Sequence, residues 1–340
     1  MCSDSERPNM TGENAPGLRR RILTAQQNSP ALGPLAQLPG HWVGKGRGWN
    51  MIALPVDAAH SGGVSGKFRI LFNQFDESLS FTHELNDVPN RGAPNDQKIV
   101  GLQYIQNVTQ VAAIDSMGSQ ISPLKAGEGI HREPGFFLNL TNEVTISANT
   151  PPMNGLPLNV ARVGSIPHGD TITTLGVSID VTNAPISLAP ATIGDFSALP
   201  IGAGPRDLSN PYLAPYKQFH DTPFKGDVPS SGFPGFDPTD PLSLLTFPAA
   251  ETFSKMTVLL MDTTVQGGIE NLPFIVKNAN ATEMRFVLWV EELPGHTPDQ
   301  PKLQLQYAQR VILEFFDSPE FPGRKIQWPH ITINTLQLVP

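Results

Sequence analysis

Apolar and polar positions alternate in short stretches along most of this chain, the two-residue period of strands with one face buried. Trp42-Val43-Gly44-Lys45-Gly46-Arg47-Gly48-Trp49-Asn50-Met51-Ile52 interleaves large residues with glycine, which suits a bent or closely approached strand. Lys67–Phe75 and Ser78–His83 follow as two strands, then Val100–Val111, His131–Leu140, Val144–Ala148, Val160–Val163 and Thr171–Val181. Turn residues separate each pair, so the first half reads as an antiparallel meander. Strands resume at Lys255–Met261, Glu283–Glu291, Leu303–Phe315 and Ile326–Leu338. The pattern predicts an all-β fold, an antiparallel up-and-down β-barrel forming one domain over residues 37–340.

Two segments break the rhythm. Residues 1–36 are polar and interrupted by Pro and Gly, and read as an irregular N-terminal arm with at most a short helix over Gly17–Gln27. Residues 184–250 hold about a dozen prolines without periodicity, too long a stretch for an ordinary loop. This is either an insertion that wraps the barrel or a lid upon it.

Composition agrees with strands and turns. The chain has 30 Gly and 34 Pro among 340 residues, and these are the two poorest helix formers. The net charge is -8 and no basic stripe exists, so a nucleic-acid partner lacks its electrostatic footprint. Arg19-Arg20-Arg21 reads as part of a solvated tail. The single cysteine, Cys2, excludes an internal disulfide and any Cys-based metal site. Neither a signal-peptide core nor an apolar run long enough to span a bilayer appears, which leads us to expect a cytoplasmic protein with no membrane partner.

A closed barrel can enclose one small ligand, so an interior pocket is where function is sought. No Gly-x-Ser-x-Gly elbow, phosphate loop or paired-Cys spacing occurs, which disfavours hydrolase and nucleotide-enzyme readings. Eight histidines are the remaining chemistry-bearing candidates.

Leu38-Pro39-Gly40-His41-Trp42-Val43-Gly44-Lys45-Gly46 resembles the opening Gly-x-Trp-x-Gly-x-Gly strand of nitrobindin-like proteins, which are calycin-type barrels. Ile130-His131-Arg132-Glu133-Pro134-Gly135-Phe136 is similar to that family's His-Arg-Glu-x-Gly-Phe segment, and Trp328-Pro329-His330-Ile331-Thr332 resembles its final strand. The resemblance covers residues 37–182 and, more loosely, 255–340. It implies a ten-stranded calycin-like barrel that binds haem b through one axial histidine, here His330. The implied activity is that of a haem-dependent peroxidase or peroxynitrite isomerase acting on peroxide, peroxynitrite or nitric oxide. The long 184–250 segment and the N-terminal arm depart from the family pattern.

Each candidate also has a plainer reading. His330 shares a strand face with Thr332 and Asn334, opposite Ile331 and Ile333. If the isoleucines face inward, His330 points out and cannot ligate unless a bulge near Pro329 turns it. His168, in the turn Ser165-Ile166-Pro167-His168-Gly169-Asp170, is the candidate catalytic acid-base group at the barrel mouth, or the ligand itself, with Asp170 placed to orient it. His131 and Glu133 fall on one face and Arg132 on the other, which favours a structural charge pair across strands, with Gly135 allowing close packing, over a catalytic triad. Trp42, Phe72 and Tyr307 are candidates to line a flat cofactor, and core packing explains them equally well. Two further readings stay open: a haem-free carrier or cyclase-like pocket for a hydrophobic small molecule, and a structural scaffold whose insertion docks a partner or a second subunit, the latter making a homo-oligomer.

Overall fold

The computed structural model describes residues 22–57, 60–62, 66–91, 97–118, 125–140, 150–247, 252–294 and 302–339. A short strand β1 (Ile22–Thr24) precedes a 3-10 helix over Pro30–Leu35 and the long strands β2 (Gly40–Pro55), β3 (Phe68–Asn90) and β4 (Gln97–Asp115). After them come β5 (Gly129–Leu140), β6 (Val160–Ile166) and β7 (Asp170–Ala184). The insertion contributes the one-turn helix α1 (Pro190–Ile193) and α2 (Ala214–Asp221). The chain continues through β8 (Phe253–Asp262), β9 (Gly268–Asn271), α3 (Pro273–Val276), β10 (Asn280–Glu292), β11 (Leu303–Asp317) and β12 (Lys325–Val339).

Every barrel strand pairs antiparallel with its predecessor, and β12 returns to pair with β2, so ten strands close an up-and-down barrel. Among the described residues, only the short strands β1, on β3, and β9, on β7, lie outside this circuit. Closure removes the open edges that a long sheet would otherwise present. The stretches expected as two strands, 67–75 and 78–83, are one: Asp76-Glu77 looks like a break, yet both residues stay in register with β4. The helix expected over Gly17–Gln27 is overturned where it is described, because Ile22–Thr24 pair with His83–Leu85 of β3 instead. The expected strand Val144–Ala148 lies outside the described residues.

Two apolar clusters hold the fold. The first draws on almost every barrel strand, with Trp42, Phe81, Leu102, Phe137, Leu288 and Leu305 among its members, and so fills the interior at one end. Leu32, Leu35 and Leu38, all fully buried, close that end from below. The latter half of the N-terminal arm is therefore a plug. The Asn139 side-chain amide ties it down by donating to the Ala31 carbonyl at 3.0 Å.

The second cluster lies outside the barrel wall. Met51, Phe72, Ile331 and Ile333 face outward from β2, β3 and β12 and pack against Tyr216, Phe219 and Phe236 of the insertion. Phe72 meets Phe219 at 4.4 Å and Phe236 at 5.4 Å between ring centres, while Trp49 stacks on Phe233 at 5.3 Å. Each buried aromatic contributes on the order of 1.5–3 kcal/mol. The 184–250 segment thus wraps the barrel, and none of its described residues lines the cavity described next.

Candidate functional site

Covering the isoleucine face from outside settles the strand parity. Ile331 and Ile333 point into the insertion, so His330 and Thr332 point into the barrel without a bulge to turn them. Above the plugged core they line a cavity of about 510 Å3 that opens at the opposite end. That volume falls within the roughly 300–1,000 Å3 of small-molecule sites. Much of the wall is aliphatic, including Ile52, Leu71, Val108, Ile172, Val311 and Leu313.

His330 sits on this wall. Asn50 Nδ2 donates to its Nε2 at 2.8 Å and lies 3.3 Å from Thr332 Oγ1. An amide N–H can only donate, so Nε2 is the nitrogen without hydrogen and Nδ1 carries the proton. Burial, reinforced by the nearby charges of His131 and His168, brings the His330 pKa down to about 4, and the ring is neutral at pH 7.

A polar layer separates the cavity from the apolar floor. Glu77 is buried and has three neutral donors: Tyr307 Oη at 2.6 Å, Asn334 Nδ2 at 2.7 Å and Gln106 Nε2 at 2.8 Å. Burial outweighs these bonds and raises its pKa. Across the layer Arg162, 3% exposed, donates to Glu133 Oε1 at 2.8 Å and to Tyr104 Oη at 3.1 Å, while Tyr104 Oη itself donates to Glu133. The guanidinium also lies 4.4 Å from the centre of the Phe286 ring. Burial alone would raise the Glu133 pKa; Arg162, His131 and Tyr104 together overcome it and hold the carboxyl at about 2. Gly135 permits this closeness, since a Cβ there would overlap the Val163 carbonyl and the Tyr104 ring.

At the mouth, β5 brings His131 beside the turn between β6 and β7. His131 Nε2 lies 3.3 Å from Glu133 Oε2, and its Nδ1 lies 3.4 Å from His168 Nε2. His168 is exposed, and burial of part of its ring together with His131 lowers its pKa. Asp170 acts on it only electrostatically, and Asp170 Oδ1 has no hydrogen-bond partner. The imidazole is therefore held by the Ile130 backbone and by His131 rather than by the expected Asp170.

Of the residues singled out from sequence, His330, His168 and Tyr307 come together around this cavity. Trp42 and Phe72 do not reach it. Trp42 lies in the plugged end, its indole N–H donating to the Leu38 carbonyl at 2.8 Å, and Phe72 faces outward onto the insertion. Both are strand aromatics, and alternation alone does not say which face or which end is hollow. Sequence reasoning passed over Asn50, Asn73 and Gln106, uncharged strand residues with no motif; their one signal was a polar position repeating on the face of His330.

Taken together these features define a calycin-like ten-stranded barrel with a histidine-lined cavity at one end. Among the described residues no group of three or more His, Cys, Asp or Glu is arranged to hold a metal ion, and no helix is long and apolar enough to cross a membrane. No protein-family model matches the chain, and no curated protein matches it. Among solved structures, the crystal structure of Rv2717c from M. tuberculosis aligns over 92% of this chain and 99% of that one, at 12% identity and a TM-score of 0.37.

Proposed function

We propose that the barrel binds a flat, largely apolar small molecule in this cavity, and that haem b, held through His330, is that molecule. The observation that carries the reading is His330 itself: a neutral imidazole with an unprotonated Nε2 on the wall of an aliphatic cavity. A ring nitrogen with a free lone pair is what ferric or ferrous iron takes as an axial ligand. The donor set fits, on the condition that the Asn50 amide swings away from Nε2. The iron would supply an open coordination position for peroxide, peroxynitrite or nitric oxide. This chain's own residues would exclude water through the aliphatic wall, hold the axial imidazole neutral, and present His168 as the acid-base group at the mouth.

A second reading is favoured by a separate observation. Asn50 Oδ1 and Asn73 Oδ1 both belong to cavity-lining residues and both are buried without a donor. Those acceptors suit a haem-free hydrophobic ligand that brings its own N–H or O–H groups. One experiment separates the two. Hemin is titrated into the purified protein and into His330→Ala, followed by absorption spectroscopy. A sharp Soret band at one equivalent that the substitution abolishes supports the haem reading. No specific band in the wild type overturns it, and organic extraction with mass spectrometry then tests the second reading.

A further inference from the structure

We propose that the insertion builds a second small-molecule site on the outside of the barrel, against β2, β11 and β12, and that this site takes an aromatic hydroxy acid. The inference goes beyond the reading of the barrel cavity and does not depend on what fills that cavity.

The pocket has a volume of about 430 Å3, and none of its described lining residues is shared with the barrel cavity. Strand alternation makes the separation. Tyr307 and Gln309 of β11 point into the barrel, so Gln304 and Gln306 of the same strand point out. One wall is aromatic: Trp49 stacks on Phe233 of the insertion at 5.3 Å, and Phe247 meets Phe233 edge-on at 5.6 Å. Phe247 is 41% exposed, which leaves apolar surface for a flat body to cover.

The rim is cationic although the chain as a whole carries a net charge of -8. Arg47 and Lys302 are exposed and both line the pocket. Neither side chain has a hydrogen-bond or ion-pair partner among the described residues, and no described lining residue is Asp or Glu. Arg47 is carried on a bulge, where β2 and β3 lose register between Gly44 and Gly48. Gly46 takes a φ of 62° there; its N–H donates to Asp76 Oδ1 at 2.6 Å and its carbonyl accepts from Gln74 Nε2 at 2.8 Å. The backbone beneath Arg47 is thus fixed while its charge is left uncompensated.

The floor supplies the third feature. Gln306 is 3% exposed, and its Nε2 donates to the Leu245 carbonyl and to Thr335 Oγ1, both at 2.8 Å. The carbonyl can only accept, which fixes the amide and leaves Gln306 Oε1 buried without a donor. Gln304 Nε2 is taken by Glu291 at 3.0 Å, a fully buried carboxylate that does not line the pocket. The site therefore calls for a flat apolar body on Phe233 and Phe247, a hydroxyl for Gln306 Oε1, and a carboxylate for Arg47 and Lys302. A carboxylate matches the fork of a guanidinium, and a buried acceptor gains most from a donor that the ligand brings.

The test titrates 6-hydroxy-2-naphthoate into the full-length protein at pH 7 and follows the probe's fluorescence. Two analogues run beside it: 6-methoxy-2-naphthoate, which lacks the donor, and 2-naphthol, which lacks the carboxylate. Each analogue should bind roughly three- to tenfold more weakly, the size of one net hydrogen bond. The double variant Arg47→Gln, Lys302→Gln changes only exposed side chains; it should bring the hydroxy acid down to the affinity of 2-naphthol and leave 2-naphthol unmoved. Nuclear Overhauser contacts from the probe to labelled methyl groups then locate it, with Val228, Leu244 and Leu245 expected. Contacts to Leu71, Val108 or Val311 of the barrel cavity instead would overturn the proposal. So would the absence of saturable binding, an analogue that binds as tightly as the hydroxy acid, or a double variant with wild-type affinity. A missing Soret band in the hemin titration refutes the haem reading and leaves these results untouched, so the two failures are distinguishable.

Discussion

Arg162→Met removes the cation from the barrel interior while keeping an unbranched side chain of similar reach. What it leaves is Glu133, 1% exposed, with Tyr104 and His131 but no guanidinium. Against the upward push of burial, Arg162 together with His131 and Tyr104 brings the Glu133 pKa from an ordinary 4.5 to about 2. At about 1.36 kcal/mol per pH unit, that shift is worth roughly 3 kcal/mol of folding stability at neutral pH. Breaking a buried pair from one side costs about 3–5 kcal/mol by a separate route of reasoning, and the two figures agree. The sign follows from the direction of the shift. A carboxyl whose folded pKa is depressed stabilises fully above its unfolded value, and the wild type loses this contribution as pH falls from 4.5 toward 2. In the variant Glu133 is buried without its cation and its pKa moves the other way, so folding tightens as it protonates. Urea denaturation followed by tryptophan fluorescence should therefore show the variant about 3 kcal/mol less stable at pH 7, with the gap narrowing strongly by pH 3.5. A loss below about 1 kcal/mol at pH 7, or the same loss at both pH values, would refute the reasoning.

Two further outcomes follow from packing. Leu35→Ala opens a hole in the plug beneath the core, where Leu35 is fully buried, and should cost about 2–5 kcal/mol in urea denaturation with hemin affinity little changed, because the plug lies at the closed end. Gly48→Ala places a methyl against the ring of Phe75, which is 1% exposed and lines the cavity. Stability should fall by about 1–3 kcal/mol and hemin binding should weaken, measured by the same titration as for His330→Ala.

Much of this architecture was legible because a closed barrel imposes a two-residue period on every strand. The Pro-rich segment was legible as an interruption, and its boundaries agree with the end of β7 at Ala184 and the start of β8 at Phe253. Which face of β12 looks inward was not legible: Ile331 and Ile333 are apolar and outward, since the insertion gives the barrel a second core on its outer wall. The same second core misdirected Phe72. Glu77 fell between the two strands expected at 67–75 and 78–83, while the structure buries it under donors drawn from β4, β11 and β12. His131 and Glu133 were read on one strand face with a charge pair expected across strands; the structure sets Glu133 against Arg162 of β6 and, within β5, against His131. That His168 reaches His131 depends on how the turn after β6 folds beside β5, and no local pattern encodes it. The strand β9 and helix α3 were missed because each spans only four residues, too short to show a period.

The seam between β2 and β12 also bears on how the chain reaches this state. Asn50 and His330 lie 280 positions apart, and Glu77 depends on Asn334 at a separation of 257. Without β12 the other nine barrel strands would form an open sheet with two raw edges, and Glu77 would lack one of its donors. Contacts of such long range are made slowly, since the loop entropy must be lost before the contact repays it. Pairing of β12 across this seam therefore does three things at once: it seals the sheet, completes the shell around Glu77 and installs His330 in the cavity. A ligand that binds through His330 can reward only chains that have passed that step.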